Sequence, residues 1–359
     1  MTASAVRARR PPLDGRLAVV VGLSFVTILG IGLIPTVLRE GTRDWIAYDQ
    51  AANRLVSGEP LYVFTLPTPD DEYYLYPPPT AALWAVFRSP ELLLALKLAA
   101  LAAVGGMVAL VPDLSRRERI ALGVILAGIA LVALPDVHDL VLGNVMALFV
   151  GAVALSLARP GWLGSVPLGL VCAVALKPVI GPYLLWLFVC RRGDALRTVA
   201  AGLVASVVCA AIIGPGRYLE YLTALPRMTV LADLPTGNVG LTTISRELAV
   251  AGVVVAYVVT VVAAARLDLR RSAAVAVAAG LLAQPTIGFN YAGLLIPAVV
   301  VLWTGDRVAG LAACLVVPLT TIVSPPLAAV EIIVLAFSGL RDRLGAQRRQ
   351  SFSDSAALP

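Results

Sequence analysis

The chain has 359 residues, 59% of them hydrophobic and only 14% charged, with a formal net charge of +6. A soluble domain carries roughly 25% charged residues, so a water-soluble core of this size is excluded, and apolar runs recurring along nearly the whole chain point to one integral membrane unit. The positive charge is almost all arginine, with lysine only at Lys97 and Lys177, and it gathers at the ends of apolar runs, a poor fit to nucleic-acid binding.

In chain order, Arg7, Arg9, Arg10 and Arg16 precede an apolar run from Leu17 to Leu38. That run is too long for a signal-peptide core and lacks a small-residue cleavage site, so it reads as a retained first span. Further runs follow at 90–111, 119–134, 140–158, 164–177, 179–190, 196–213, 247–265, 272–284, 290–303, 307–323 and 326–339. Basic clusters at 116–119, 159, 191–197, 266–271, 307 and 341–349 fall between them so that all can face the cytoplasm. The expected architecture is therefore all-α, a polytopic transmembrane helical bundle of about twelve spans with both termini inside. Residues 1–16 form a cytoplasmic N-terminus, 17–340 the membrane domain, and 341–359 a polar tail expected to be disordered. The outward segments then carry the acids Asp44, Asp49, Glu59, Asp70, Asp71, Glu72, Asp136, Asp139, Glu220 and Asp233. The largest of these segments are residues 39–89 and 214–246.

Two runs are short. Residues 164–177 and 179–190 would each be about 20 Å long as helix, against a hydrocarbon core of about 30 Å. The break between them is Lys177-Pro178. It fits either a tilted pair in a thin region or a broken hairpin whose turn lines a wet cavity, where irregular backbone is tolerated at depth.

The first outward segment has helical character in two places. In 44–57, Trp45, Tyr48, Ala52 and Leu55 share one face, the pattern of an amphipathic helix at the membrane interface. Gly58-Glu59-Pro60 ends it, and Pro77-Pro78-Pro79 opens a second short helix at 80–87, since proline is accepted in a first turn. Five tyrosines and two tryptophans in this segment suit an interfacial belt.

The order Asp44, Tyr48, Ala51-Ala52, Leu55, Gly58, Pro60-Leu61-Tyr62 and Tyr76-Pro77-Pro78-Pro79 resembles the polytopic glycosyltransferases of the GT-C superfamily. More narrowly it resembles the actinobacterial polyprenyl-phosphate-mannose-dependent α-mannosyltransferases that build phosphatidylinositol mannosides and lipomannan. Gly143-Asn144, Lys177-Pro178 and Gly237-Asn238 stand where that family has Gly-Gln, Lys-Pro and Gly-Asn, and the resemblance spans roughly residues 17–305. Two departures are Asn144 for Gln, and Asn290-Tyr291 where relatives often carry a His.

The resemblance implies a polyprenyl-phosphate sugar donor, a glycolipid or lipoglycan acceptor, and transfer at the extracytoplasmic face. A phosphate leaving group departs as an anion and needs no general acid. The acceptor hydroxyl does need a base, so a single carboxylate suffices for inversion. Asp44 is the expected base, and capping the helix that starts there is compatible with that role. Asp49 is the runner-up, with a solvated helix face as its plainer role. Lys177 is the expected partner of the donor phosphate, against a snorkelling alternative. Arg246, beside Thr242, Thr243 and Ser245, is the best of the outer arginines for the same task, ahead of Arg217 and Arg227. His138, the only histidine, is a further phosphate or hydroxyl partner. Tyr48, Tyr76, Asn144, Asn238 and Asn290 complete the expected substrate contacts.

No His/Asp/Glu group has metal-ligand spacing, and Lys and Arg are available to neutralise phosphate, so neither a metal nor another cofactor is expected. Cys172, Cys190, Cys209 and Cys314 all sit in apolar runs without paired spacing. The mannose donor has an arabinofuranose alternative. A lipid-linked sugar transporter is the main rival class, but it would show two similar halves with matching broken helices. The signatures of an intramembrane protease are absent from the sequence.

Overall fold

The structure, a computed structural model, describes residues 44–64, 73–109, 115–116, 119–120, 122–123, 145–232, 240–284 and 289–338. The expected first span 17–38, most of the run 119–134 and the tail 341–359 lie outside the described residues. Within them the protein is all-α and contains no strand. The helices are α1 (Asp44–Ser57), α2 (Pro78–Phe87), α3 (Pro90–Ala109), α4 (Met146–Ala158), α5 (Trp162–Val174), α6 (Gly181–Cys190), α7 (Arg192–Ile213), α8 (Gly216–Ala232), α9 (Arg246–Arg266), α10 (Leu269–Ala283), α11 (Leu295–Gly305), α12 (Arg307–Val323) and α13 (Pro325–Ser338). Short 3-10 segments at Pro178–Ile180, Leu241–Thr243 and Phe289–Leu294 connect some of them.

Each apolar run in the described part coincides with a helix. Length is a stricter criterion. Among the described residues, only α7 and α9 are long and apolar enough to cross a membrane alone. The pair Pro78–Phe87 and Glu91–Met107, bent by 118°, adds a third if it forms one broken span. The remaining apolar helices have 10–17 residues, fewer than the roughly 20 a straight crossing needs. A count of about twelve spans therefore does not follow from helix length. Only 6% of the apolar stretch of α7 is buried inside the protein, leaving Leu203, Val204, Val207, Val208 and Ile212 exposed. In water this would be a run of exposed apolar side chains of the kind that soluble monomers rarely show.

The core is built around α10. Every residue from Arg271 to Ala283 is buried, because α10 is covered by α6, α9, α11 and α13. Its sequence is mostly Ala, Val and Leu, apolar all round, as a fully enclosed helix must be. Small side chains also let backbones approach. A Cβ at Gly169 of α5 would run into the Thr198 carbonyl and Gly202 of α7, so this pair closes on a seam of small residues.

Polar contacts sort the helix ends into two groups. At one end, Asp194 at the start of α7 accepts from Gly161 N (2.9 Å) and pairs with Arg197 (2.8 Å). Arg191 donates to the Ser156 carbonyl (3.4 Å), and Trp186 Nε1 of α6 donates to Ser272 Oγ of α10 (2.9 Å). There too Asp268 caps α10, Asp306 caps α12, and buried Arg271 bridges the two carboxylates. The arginine clusters 191–197 and 266–271 thus meet at one end of the bundle, together with Arg159 and Arg307 at adjoining helix termini. The opposite end of α5 meets the segment that carries α2, and that of α10 meets Val179.

The segment 214–246, read from sequence as a polar outer interruption, is largely helical, since α8 occupies residues 216–232. It is tied to the first segment. Arg217 donates to the Glu59 carbonyl (2.7 Å) and pairs with Glu220 (3.0 Å), and Glu220 Oε1 accepts from Tyr62 N (3.0 Å).

Candidate functional site

The site starts from a defect in the helical ladder. Helix α5 ends at Val174, and Lys177 adopts extended backbone (φ −124°, ψ 139°), the conformation favoured before proline. Pro178–Ile180 forms one 3-10 turn before α6, which has Pro182 in its first turn. The Lys177-Pro178 break expected from sequence is present. The two helices flanking it are not a tightly packed hairpin, however. Helix α5 packs on α4 and α7, whereas α6 packs mainly on α9 and α10 and touches α7 as well. The break is held in place by α10. Val179 N donates to Gln284 Oε1 (3.3 Å), and a Cβ at Gly280 would collide with the Val179 carbonyl. Gly280→Val is expected to displace the break, lowering stability by roughly 1–3 kcal/mol and weakening whatever Lys177 binds. Thermal unfolding alongside ligand titration of the variant checks this, and wild-type values for both would refute it.

The first segment docks on the other side of the break. Thr80 Oγ1 of α2 donates to the Val174 carbonyl. Pro77 caps α2 from extended backbone and Pro78 and Pro79 fill its first turn, so the helix begins within the proline run expected to open it. Tyr74 OH donates to the Pro77 carbonyl (2.6 Å) and accepts from Ala81 N (3.0 Å), and Tyr62 OH donates to the Tyr76 carbonyl (2.8 Å). Burial pushes the Tyr62 and Tyr74 hydroxyls well above the ordinary phenol range. They remain neutral, serving as struts rather than as bases or stacking platforms.

These constraints bring Lys177 between two rings. Its ammonium lies 5.0 Å from the Tyr76 ring centroid and 4.9 Å from that of Tyr291, within the range of cation–π attraction. Tyr76 in turn meets Tyr48 edge-on at 5.1 Å, and Tyr48 lies 5.7 Å from Trp84. Tyr48 is only 1% exposed, and Ala47, Ala51 and Ala52 beside it are buried against the protein. The apolar face of α1 is therefore occupied largely by α2. The indole N–H of Trp84 is buried and has no hydrogen-bond acceptor among the described residues.

Of the residues expected from sequence, Tyr48, Tyr76 and Lys177 are brought together. Asp44 is the first residue of α1, one helical turn before Tyr48; its side chain lies outside the described residues, as does that of Asn290. His138, Asn144 and Asn238 also lie outside. Asp49 is half-buried on α1 and accepts from Asn53 Nδ2 (3.3 Å), the helix-surface role. Arg246 is exposed on the first turn of α9, next to Ser245, whose side chain caps that helix. Arg217 is engaged with Glu59 and Glu220, and Arg227 lies 5.5 Å from the Phe64 ring. The sequence alone does not single out Tyr291 or the tie of Arg217 and Glu220 to the first segment, since both are defined by contacts between distant segments. Among the described residues no group of three or more His, Cys, Asp or Glu gathers as a metal site would require.

Comparison with protein-family models, with curated proteins and with solved structures gave no match.

Proposed function

We propose that the chain is an integral membrane glycosyltransferase of GT-C type, and more narrowly one that moves a mannosyl residue from polyprenyl-phosphate-mannose to a lipid-linked glycan. The observation that carries this is the meeting of the first-segment residues Tyr48 and Tyr76 with Lys177 at a break between two short apolar helices. A cation at such a break is suited to a lipid-borne phosphate, and the aromatic rings beside it suit a sugar. The apolar exposed face of α7 supports a lipid surround, and in this reading the apolar runs of the sequence make a multi-pass protein of about twelve spans. Segregation of the arginine clusters to the end opposite Lys177 supports a cytoplasmic arginine face, cytoplasmic termini and an extracytoplasmic site.

In this reading the donor's phosphate pairs with Lys177, Asp44 takes the proton of the acceptor hydroxyl, and that oxygen attacks the anomeric carbon from the face opposite the leaving phosphate. One carboxylate is enough, since the phosphate leaves unprotonated. No metal is required for this charge balance, so chelator is expected to leave the rate unchanged.

The test is purified protein in lipid nanodiscs with polyprenyl-phosphate-mannose or polyprenyl-phosphate-arabinose and a lipid-glycan acceptor. Mannose transfer is expected; consumption of neither donor overturns the reading, and arabinose transfer redirects it. Movement of intact sugar lipid across vesicles without transfer would favour a transporter. Lys177→Met is expected to raise the donor KM roughly 10- to 100-fold, the range of one charge-assisted hydrogen bond. An unchanged KM would remove Lys177 from the site.

A further inference from the structure

We propose that Tyr291 is a positioning residue, forming with Tyr76 a two-ring clamp that holds the Lys177 ammonium in place for the phosphoanion of an isoprenyl-phosphate ligand. The inference rests on the donor reading above and adds to it a residue and a role.

The argument begins with lysine itself. Its side chain has four rotatable bonds, and near a membrane it follows whichever path brings its ammonium to water. Lys177 instead sits half-buried with ring faces at 5.0 and 4.9 Å. The rings come from two separate elements, Tyr76 from the turn before α2 and Tyr291 from the 3-10 segment Phe289–Leu294. Both are fixed independently of Lys177. The Tyr76 ring abuts Tyr48 and its carbonyl accepts from Tyr62, while Tyr291 is 9% exposed within the main core. The backbone two residues on is pinned as well, because Val179 N donates to Gln284 just past the central helix and the Val179 carbonyl abuts Gly280.

Ring faces attract an ammonium without neutralising it, because their field is a quadrupole and carries no net charge. A clamped ammonium has lost its rotamer freedom before the ligand arrives, so binding an anion no longer requires ordering it. Without the Tyr291 face, that ordering falls on the binding step, and its cost corresponds to about tenfold in affinity.

The test uses full-length protein in nanodiscs and farnesyl phosphate as the probe, with farnesol as the uncharged control. Tyr291→Leu is expected to weaken farnesyl phosphate about tenfold and to leave farnesol unchanged, while Tyr291→Phe, which keeps the ring, stays within about twofold of wild type. In a Lys177→Met background the Tyr291→Leu change is expected to have no further effect, since the residue acts only through the lysine. In turnover, the loss falls on the donor KM while kcat at saturating donor is retained. Wild-type protein that binds no farnesyl phosphate overturns the donor reading and the clamp with it. Wild-type binding that Tyr291→Leu leaves intact, or a loss that persists undiminished in the Lys177→Met background or extends to farnesol, overturns the clamp alone.

Discussion

Asp44→Asn is expected to lower kcat by about 10²- to 10⁴-fold, the contribution of a positioned general base, with little change in donor KM. The substitution is nearly isosteric, and asparagine serves a helix start about as well as aspartate, so α1 should still form. What it removes is the ability to accept the acceptor's proton. The residue opens α1, one turn before Tyr48, and Tyr48 is packed on Tyr76, which faces Lys177. In the proposed reading the residue that opens that helix is the base and Lys177 the phosphate partner, linked through Tyr48 and Tyr76. The measurement is steady-state transfer at saturating donor and acceptor, with thermal unfolding to confirm folding. Turnover within a few-fold of wild type would remove Asp44 from the chemistry and return it to capping; Asp49 would then be the next carboxylate to substitute.

Arg271→Ala is the substitution expected to cost most in stability. Arg271 is 3% exposed, pairs with Asp306 and Asp268, and donates to the Ala336 carbonyl (3.5 Å). It therefore joins the starts of α10 and α12 to α13, at the end of the bundle opposite Lys177. Removing one partner of a buried pair costs about 3–5 kcal/mol, and the lower end is expected here because the carboxylates left behind are partly exposed, Asp306 at 23% and Asp268 at 36%. In a chain of 359 residues that corresponds to a fall in Tm of roughly 4–7 °C. Asp306 is partly protected by its two capping bonds to Val308 N and Ala309 N (3.0 and 3.1 Å). The double change Arg271→Met with Asp306→Asn is accordingly expected to recover part of the loss, since asparagine still caps and only the more exposed Asp268 keeps its charge. Scanning fluorimetry of the detergent-solubilised protein checks both. A shift below 2 °C for Arg271→Ala would mean that the network is peripheral, whatever its burial.

Much of the architecture is legible in the residues because its causes are local. The apolar runs become helices, Gly58 takes a positive φ (75°) where α1 was expected to stop, and the proline run at 77–79 starts α2. The Lys177-Pro178 break is local too, since proline removes a donor and disfavours helix in the residue before it. Burial is not local. The 44–57 face has the pattern of an interfacial helix, yet α2 takes up much of it, because amphipathicity specifies an apolar partner without saying whether that partner is lipid or protein. Residues 214–246 look like a polar connection, but Pro215 and Pro226 did not prevent a 17-residue helix at Gly216–Ala232, which packs Tyr221, Ala224 and Met228 inward.

The sequence by itself determined a helical chain whose composition calls for lipid, the alternation of basic and acidic connections, the chain break at Lys177, and an aromatic, proline-bounded segment beginning at Asp44. Only the tertiary structure decided that Lys177 faces Tyr76 and Tyr291, that Glu220 grips the first segment, and that Arg271 bridges two helix caps. The physical reason is separation along the chain. Helix periodicity and turn chemistry act over a few residues, while Tyr76, Lys177 and Tyr291 lie about a hundred residues apart from one to the next and meet only because α10 is narrow enough, at Gly280, for the break to settle against it.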